Sequence, residues 1–523
     1  MTNVLYIPLD ERACNYRFPQ QLAQMTGSIR LLTPPESIMG YRKNPADCEA
    51  LWQWLFDHVQ QCEYAILSVD TLVYGNILNS RLHHRTIEDC ERLLDNFRKL
   101  KSMNPSLEIH AFSIVARVAA YNGSMEDPDY WETHGRDIWR YTILRDKLSR
   151  GESTAEERKE YTELVALIPA EYLNDFLARR KVDRAVNLAC VDLTHEGVFE
   201  MLTIPKDDTA EYGYAALDQM AISEKIREHR LMGRVLVYPG ADELGCVLLA
   251  RVFCRIESYT PRIYVRYSST LGPFLIPIVE DRPLHEGIKA QITSLGGIVE
   301  DSAADSDCML AVHSPGKEMI DSCFQDHKDL TFTSHINTDE FIRYINDYID
   351  RQQKAVGVAD VAFINGSDKE FMDYLLTSGT LHRIQSVGGW NTAMNTVGVV
   401  LAQTVIAACR SRFEGDYDAY HLSEEFKMHH VVQDWLFQAD ALQTYFAAYR
   451  DKIDVFNLRE YYDESYAFIG KELHRLIDEK FHGKYKGADI VLENLGCHWD
   501  GAQYIRFDLH LDGIRQIWEQ NET

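Results

Sequence analysis

Adjacent carboxylates recur along this chain where they could do acid–base chemistry together: Asp10-Glu11, Asp207-Asp208 and Asp242-Glu243, with Asp70 standing alone. Each follows a short apolar run, at 4–7, 199–204, 235–237 and 64–69. Carboxylates that converge on one cleft raise one another's pKa, so one acid stays protonated near neutral pH while its neighbour stays ionised. Two carboxyl groups in unlike states are what glycosidic-bond hydrolysis requires. In Tyr238-Pro239-Gly240-Ala241-Asp242-Glu243-Leu244-Gly245, two glycines permit a tight turn between a strand and a helix. Glu243 is the expected general acid/base, with Asp242 orienting a substrate group or stabilising oxocarbenium-like charge. Asp208 and Asp10 are the expected nucleophile or second carboxylate. An acid at a helix start is also a good cap, so the Asp242-Glu243 pair has a structural explanation too.

Other polar residues sit near the same strand ends. Asp70, Tyr74, Asn76, Arg12, Asn15, Arg117 and Asp207 are expected in substrate binding, the arginines also neutralising part of the acidic charge. In Gly389-Trp390-Asn391 with Asn395, the indole offers a platform for a sugar ring. Two asparagines four apart would share one helical face and could bind hydroxyls. Their structural alternatives are a core plug for Trp390 and an N-cap for Asn391. No metal site is expected: His83-His84 and His429-His430 are adjacent pairs that point to different faces, and His-Glu-x-x-His is absent. A divalent ion on Asp10, Asp70 and Asp242 is the alternative. With no Gly-x-Gly-x-x-Gly after the first strand, no Walker loop and no Gly-x-Ser-x-Gly, no cofactor is expected.

The elements that must carry these residues read as α/β. Strand-like runs at 4–7, 29–32, 64–69, 107–114, 185–190, 199–204, 235–237 and 263–267 alternate with helices, broken by a charged helical insertion at 124–185. Chemistry confined to the C-terminal side of the strands suits a (β/α)8 barrel or an open doubly wound sheet, and the count of strands favours a barrel-like catalytic domain over 1–257. A flavodoxin-like α/β domain is expected over 258–398. A helical region over 399–523 follows, closed by a β-ribbon of 490–492 with 504–508. The 263–267 run could belong to either of the first two domains.

Bulk composition narrows the partners. A formal charge of -26 argues against a nucleic-acid backbone or an anionic membrane surface. No run approaches a membrane span and the first residues lack a signal-peptide pattern. The 11 cysteines, an odd number without Cys-x-x-Cys spacing, fit reduced thiols. A cytoplasmic protein acting on a small carbohydrate is the expectation, and a homo-oligomer is left open.

Several motifs together are familiar: Pro8-Leu9-Asp10-Glu11-Arg12, Ser68-Val69-Asp70-Thr71-Leu72-Val73-Tyr74-Gly75, Lys206-Asp207-Asp208, Gly240-Ala241-Asp242-Glu243, and Gly389-Trp390-Asn391-Thr392-Ala393-Met394-Asn395-Thr396-Val397-Gly398. With them the chain resembles, over nearly its whole length, a bacterial family catalogued as a domain of unknown function. It departs from that pattern at Ala13, where the family usually has proline. The resemblance implies one multi-domain unit with a polar cleft and transfers no activity. Separately, Gly240-Ala241-Asp242-Glu243 is similar to the Gly-Gly-Asp-Glu of one class of enzymes that remove N-acetylhexosamines by substrate assistance. Lys206-Asp207-Asp208 is similar to the paired aspartates of another, although the strand order matches neither. The residues thus lead to a glycoside hydrolase of small oligosaccharides or amino-sugar glycosides. A metal-dependent isomerase or hydrolase using the same aspartates is the alternative, and a non-catalytic sugar-binding module the second.

Overall fold

Apolar runs too short for helices form the strands of two parallel sheets in a computed structural model that describes residues 1–503 and 505–514. The first sheet contains β1 (Thr2–Ile7), β2 (Ile29–Leu32), β3 (Tyr64–Ser68), β4 (Glu108–Phe112), β5 (Met201–Lys206) and β6 (Val235–Pro239), in the order β2-β1-β3-β4-β5-β6. The second contains β7 (Arg262–Tyr267), β8 (Ile298–Glu300), β9 (Cys308–His313), β11 (Ala355–Asp360) and β13 (Ser386–Gly388), in the order β13-β11-β9-β7-β8. A short parallel pair joins β10 (Ile320–Asp321) to β12 (Phe363–Ile364). β5, β9 and β11 are buried along their whole length, as strands covered on both faces must be.

The protein is α/β, but the described strands do not close an eight-stranded barrel. Two of the eight expected strands are elsewhere. The 185–190 run lies inside the 26-residue helix Ala170–His195, where Val186, Cys190 and Val191 are buried at helical spacing. The 263–267 run pairs with β8 and β9 in the second sheet. The remaining six strands have β2 and β6 at the sheet's two ends, and among the described residues no pairing joins them. Read in chain order, five strands of each sheet follow the sequence 2-1-3-4-5 of flavodoxin-like sheets.

The chain divides into two compact units. The first comprises Met1–Glu11, Arg30–Gly245 and Val279–Arg282; the second comprises Arg12–Ile29, Cys246–Ile278 and the residues from Pro283 onward. In the first unit the helices Trp131–Arg150, Ala155–Leu167 and Ala170–His195 fill the interval between β4 and β5. The first two and the start of the third pack around Trp131, Ile138, Tyr141, Leu144, Leu164 and Phe176. In the second unit, Trp435, Leu436, Phe437 and Tyr445 centre a core that extends to an antiparallel ribbon of β14 (Lys484–Tyr485), β15 (Ala488–Cys497) and β16 (Ile505–Asp512). Of the expected ribbon and C-terminal region, Tyr504 and 515–523 lie outside the described residues. Among the described residues no helix is long and apolar enough to cross a membrane.

Candidate functional site

In a sheet of this order, the crevice outside the carboxyl ends of the first and third strands is the position for a ligand. In the first unit Asp10 follows β1 there and Asp70 follows β3; both are buried. The Thr71 hydroxyl ties the two strand ends together, 2.7 Å from the Pro8 carbonyl and 2.8 Å from that of Leu9. Asp70 Oδ2 accepts the Ile114 amide proton at 2.9 Å, which fixes it against the end of β4. Burial pushes the Asp70 acid up to about 7; that hydrogen bond works against the shift, and Asp183 and Asp207 add to it. Tyr74 is buried and stacks on His83 at 4.3 Å. The Asn76 amide serves the backbone at both ends: its oxygen caps the helix Ile77–Ser80 through the Asn79 amide at 2.9 Å, and its nitrogen donates to the Arg42 carbonyl at 2.7 Å.

At the end of β5 the chain places two adjacent carboxylates in unlike surroundings. Arg81 donates to Asp207 at 2.6 Å and to Glu126 at 3.3 Å. Arg117 donates to Asp208 at 3.2 Å, to Glu126 at 2.9 Å and to Asp127 at 3.1 Å. Burial opposes both guanidinium charges, yet the surrounding carboxylates hold both above their ordinary values. Asp208 has a backbone φ of 30°, in the left-handed region that a non-glycine residue occupies at a cost. Its side chain keeps 29% of its surface exposed while its carboxyl sits deep enough that burial, then the neighbouring Asp207, raises it to about 6. Lys206, one residue earlier, is fully buried against Asp281 and Gln219, and burial lowers its ammonium well below the ordinary value.

The turn after β6 has an internal reason for its glycine. Gly240 has φ 138°, and a Cβ there would stand 2.1 Å from Glu243 Oε1. Glu243 folds back over its own loop and accepts the Ala241 amide proton at 2.9 Å through its other oxygen. At least one oxygen of the expected general acid therefore orders the turn that leads into the helix Leu244–Ile256. Asp242 beside it is buried. Gly240→Ala is expected to destabilise the fold by about 1–3 kcal/mol, because the new methyl adds backbone strain and displaces Glu243. An unchanged unfolding midpoint in urea would contradict this account of the turn.

Arg12, Asn15, Trp390, Asn391 and Asn395 all belong to the second unit. The Arg12 guanidinium lies over the Trp499 ring, 4.6 Å from its centre, and Asn15 is buried in the short helix Ala13–Tyr16. Trp390 is nearly buried, its backbone locked to Thr396 Oγ1 by bonds of 3.0 and 2.7 Å. The two asparagines do not share a helical face, because the helix Ala393–Cys409 begins after Asn391. Thr392, not Asn391, is its N-cap, accepting from the Asn395 amide at 3.4 Å. Asn391 instead occupies the turn before it with φ 50°.

The second sheet has a polar strand edge that sequence reasoning missed. His313 ends β9 and Asp360 ends β11. Ser268 Oγ lies 3.0 Å from His313 Nδ1, and Asp368 Oδ2 lies 3.2 Å from His313 Nε2. Asp368 also receives Lys328 Nζ at 2.9 Å, while its amide donates to Asp360 at 2.7 Å. Burial raises the Asp360 acid to about 7. Burial works in the same direction on Asp368, but His313 and Lys328 hold that acid well below its ordinary value. His313, Lys328 and Asp368 line a cavity of about 600 Å³ with Phe371 and Tyr374. The signal was available in the sequence, since the apolar runs 308–312 and 355–359 are each followed by a titratable residue. Among the described residues no group of three His, Cys, Asp or Glu side chains is placed to hold a metal ion.

Two doubly wound parallel sheets, one bearing an arginine-braced carboxylate pair at its strand ends, define an α/β protein with a candidate acid–base edge. The chain belongs to the family described as Protein of unknown function (DUF4127), whose model matches residues 4–500. No curated protein and no solved structure matches the chain.

Proposed function

We propose that the first unit hydrolyses glycosides of small oligosaccharides or amino sugars, with Asp207 and Asp208 as the working pair. The observation that carries this reading is the contrast within that pair. Asp207 is clamped by Arg81, whereas Asp208 is partly exposed, raised to about 6 and held on strained backbone. A carboxyl group raised by burial beside one paired with an arginine is the equipment for a proton donor with a charged neighbour. Asp208 gives its proton to the glycosidic oxygen as the bond from the anomeric carbon to that oxygen breaks. With a 2-acetamido substrate, the amide oxygen forms the new bond to the anomeric carbon, and Asp207, held by Arg81, orients the amide N–H. Water then replaces the amide oxygen, returning its proton to Asp208. Asp242 and Glu243 follow β6, the neighbour of β5, and Asp10 follows β1 further along the same sheet, where substrate hydroxyls need acceptors. The metal-dependent alternative lacks a three-ligand cluster among the described residues. A panel of aryl glycosides that includes N-acetylhexosaminides and 6-phospho sugars tests the proposal. Release of the aryl group from at least one member, insensitive to chelator, is the expected result; no release from any member overturns it.

A further inference from the structure

In the first unit one guanidinium is shared among more acceptors than it can hold closely. Arg117 Nη2 has two N–H protons and faces three acceptors: Glu126 at 2.9 Å, Asp127 at 3.1 Å and the Tyr121 hydroxyl. Its Nη1 donates to Asp208 at 3.2 Å. A charge-assisted bond from guanidinium to carboxylate usually spans about 2.7–2.9 Å. Arg117 is thus seated on Glu126 and only loosely on Asp208. Arg81 shows the opposite preference, lying 2.6 Å from Asp207 and 3.3 Å from the same Glu126 oxygen. Glu126 Oε2 competes with each aspartate for its arginine, and it prevails against Asp208 alone. Two adjacent carboxylates are left with unequal counterions.

The competitor is itself held in place. Glu126 and Asp127 lie between β4 and the helix Trp131–Arg150. Lys43 Nζ donates to the carbonyls of Ser124 and Asp127, on either side of Glu126, at 2.5 and 3.0 Å. The Ser124 amide donates to Glu132 at 3.0 Å. The side chains of Glu126 and Asp127 are only 16% and 5% exposed, so solvent ions screen their hold on Arg117 little. Four charged groups bear on Asp208: Asp207 beside it, Arg117 from beyond β4, Arg81 from the end of the helix Ile77–Ser80, and Glu126. Glu126 disfavours the Asp208 anion twice, by its own charge and by drawing off the nearer cation.

Resting on the assignment of Asp208 as proton donor, we propose that Glu126 is a positioning residue. It keeps Arg117 off Asp208 while that group carries its proton, and leaves the guanidinium within reach of the carboxylate that remains once the proton has gone to the glycosidic oxygen. An interaction that strengthens as the proton leaves favours the transition state over the bound substrate, which is what raises turnover.

Carboxyl 13C titration of the full chain tests this without substrate, the Asp208 signal being the one lost in Asp208→Asn. In Glu126→Gln the Asp208 midpoint should fall by about 1 unit, since a like charge is removed and Arg117 is released toward Asp208. The alkaline limb of glycoside turnover should move to lower pH by the same amount, a displacement that loss of loop order alone would not produce. Asp127→Asn removes the second competitor for Nη2 and should move the midpoint the same way; it decides the question if Glu126→Gln does not fold. A midpoint that stays in place or rises overturns the proposal. A lowered midpoint with no aryl release from the glycoside panel removes the hydrolase and leaves the hold of Glu126 on Asp208 standing. Aryl release with an unmoved midpoint does the reverse.

Discussion

Asp208→Asn is expected to lower glycoside turnover by about 10²–10⁴-fold, the usual contribution of a positioned proton donor. The substitution is nearly isosteric and keeps an acceptor for Arg117, so the unfolding midpoint should hold. Asp208 must start the reaction protonated, and burial with Asp207 places its pKa at about 6. The alkaline limb of the rate profile should therefore fall away as pH rises through that value, and disappear in the asparagine variant. Glu243→Gln is the paired control. Its carboxylate faces the Ala241 amide, so the expected change is loss of loop order with a smaller effect on turnover. If turnover instead collapses in Glu243→Gln and survives in Asp208→Asn, the general acid is Glu243.

The second large effect is on stability. Asp70 is raised to about 7 in the folded protein, from about 3.9 in an unfolded chain. Its folded pKa lies above the unfolded one, so its contribution is fully present below about pH 4 and is lost as pH rises toward 7. Asp70→Asn removes that titration and can keep the hydrogen bond from Ile114 through its amide oxygen. The stability of the wild-type protein relative to this variant should then fall by up to about 4 kcal/mol between pH 4 and pH 7 and above. Urea unfolding of both proteins at a series of pH values measures the difference directly. A difference independent of pH would show that Asp70 titrates normally. Asp208 and Asp360 tilt both curves in the same direction, which is why the difference between the two proteins is the quantity to follow.

The class of fold was legible because most apolar runs were strands and their ends were polar. Closure of the sheet was not, since it depends on whether β6 meets β2, a pairing no local pattern encodes. Residues 185–190 misled because six apolar-rich residues inside a long helix look like a strand in a short window. At the candidate site, Asp207-Asp208 could be named from the sequence. The partners that set their unlike states could not: Arg81 is 126 residues from Asp207, and Arg117 is 91 residues from Asp208. The left-handed backbone at Asp208 had no glycine or asparagine to announce it.

The segment Arg12–Ile29 belongs to the second unit and packs against residues made much later. Phe18 meets Phe426 and His430, Arg17 pairs with Asp508, and Arg410 reaches the Met25 carbonyl. During synthesis this segment must wait for some 400 to 490 further residues, about 20–100 s at ordinary elongation rates. Until then its apolar face has no partner, and the first unit's β1 and β2 are joined by a tether that has not docked. A fragment that begins at Cys246 would expose the matching surface permanently, so the second unit has no contiguous stretch of sequence that can be excised whole.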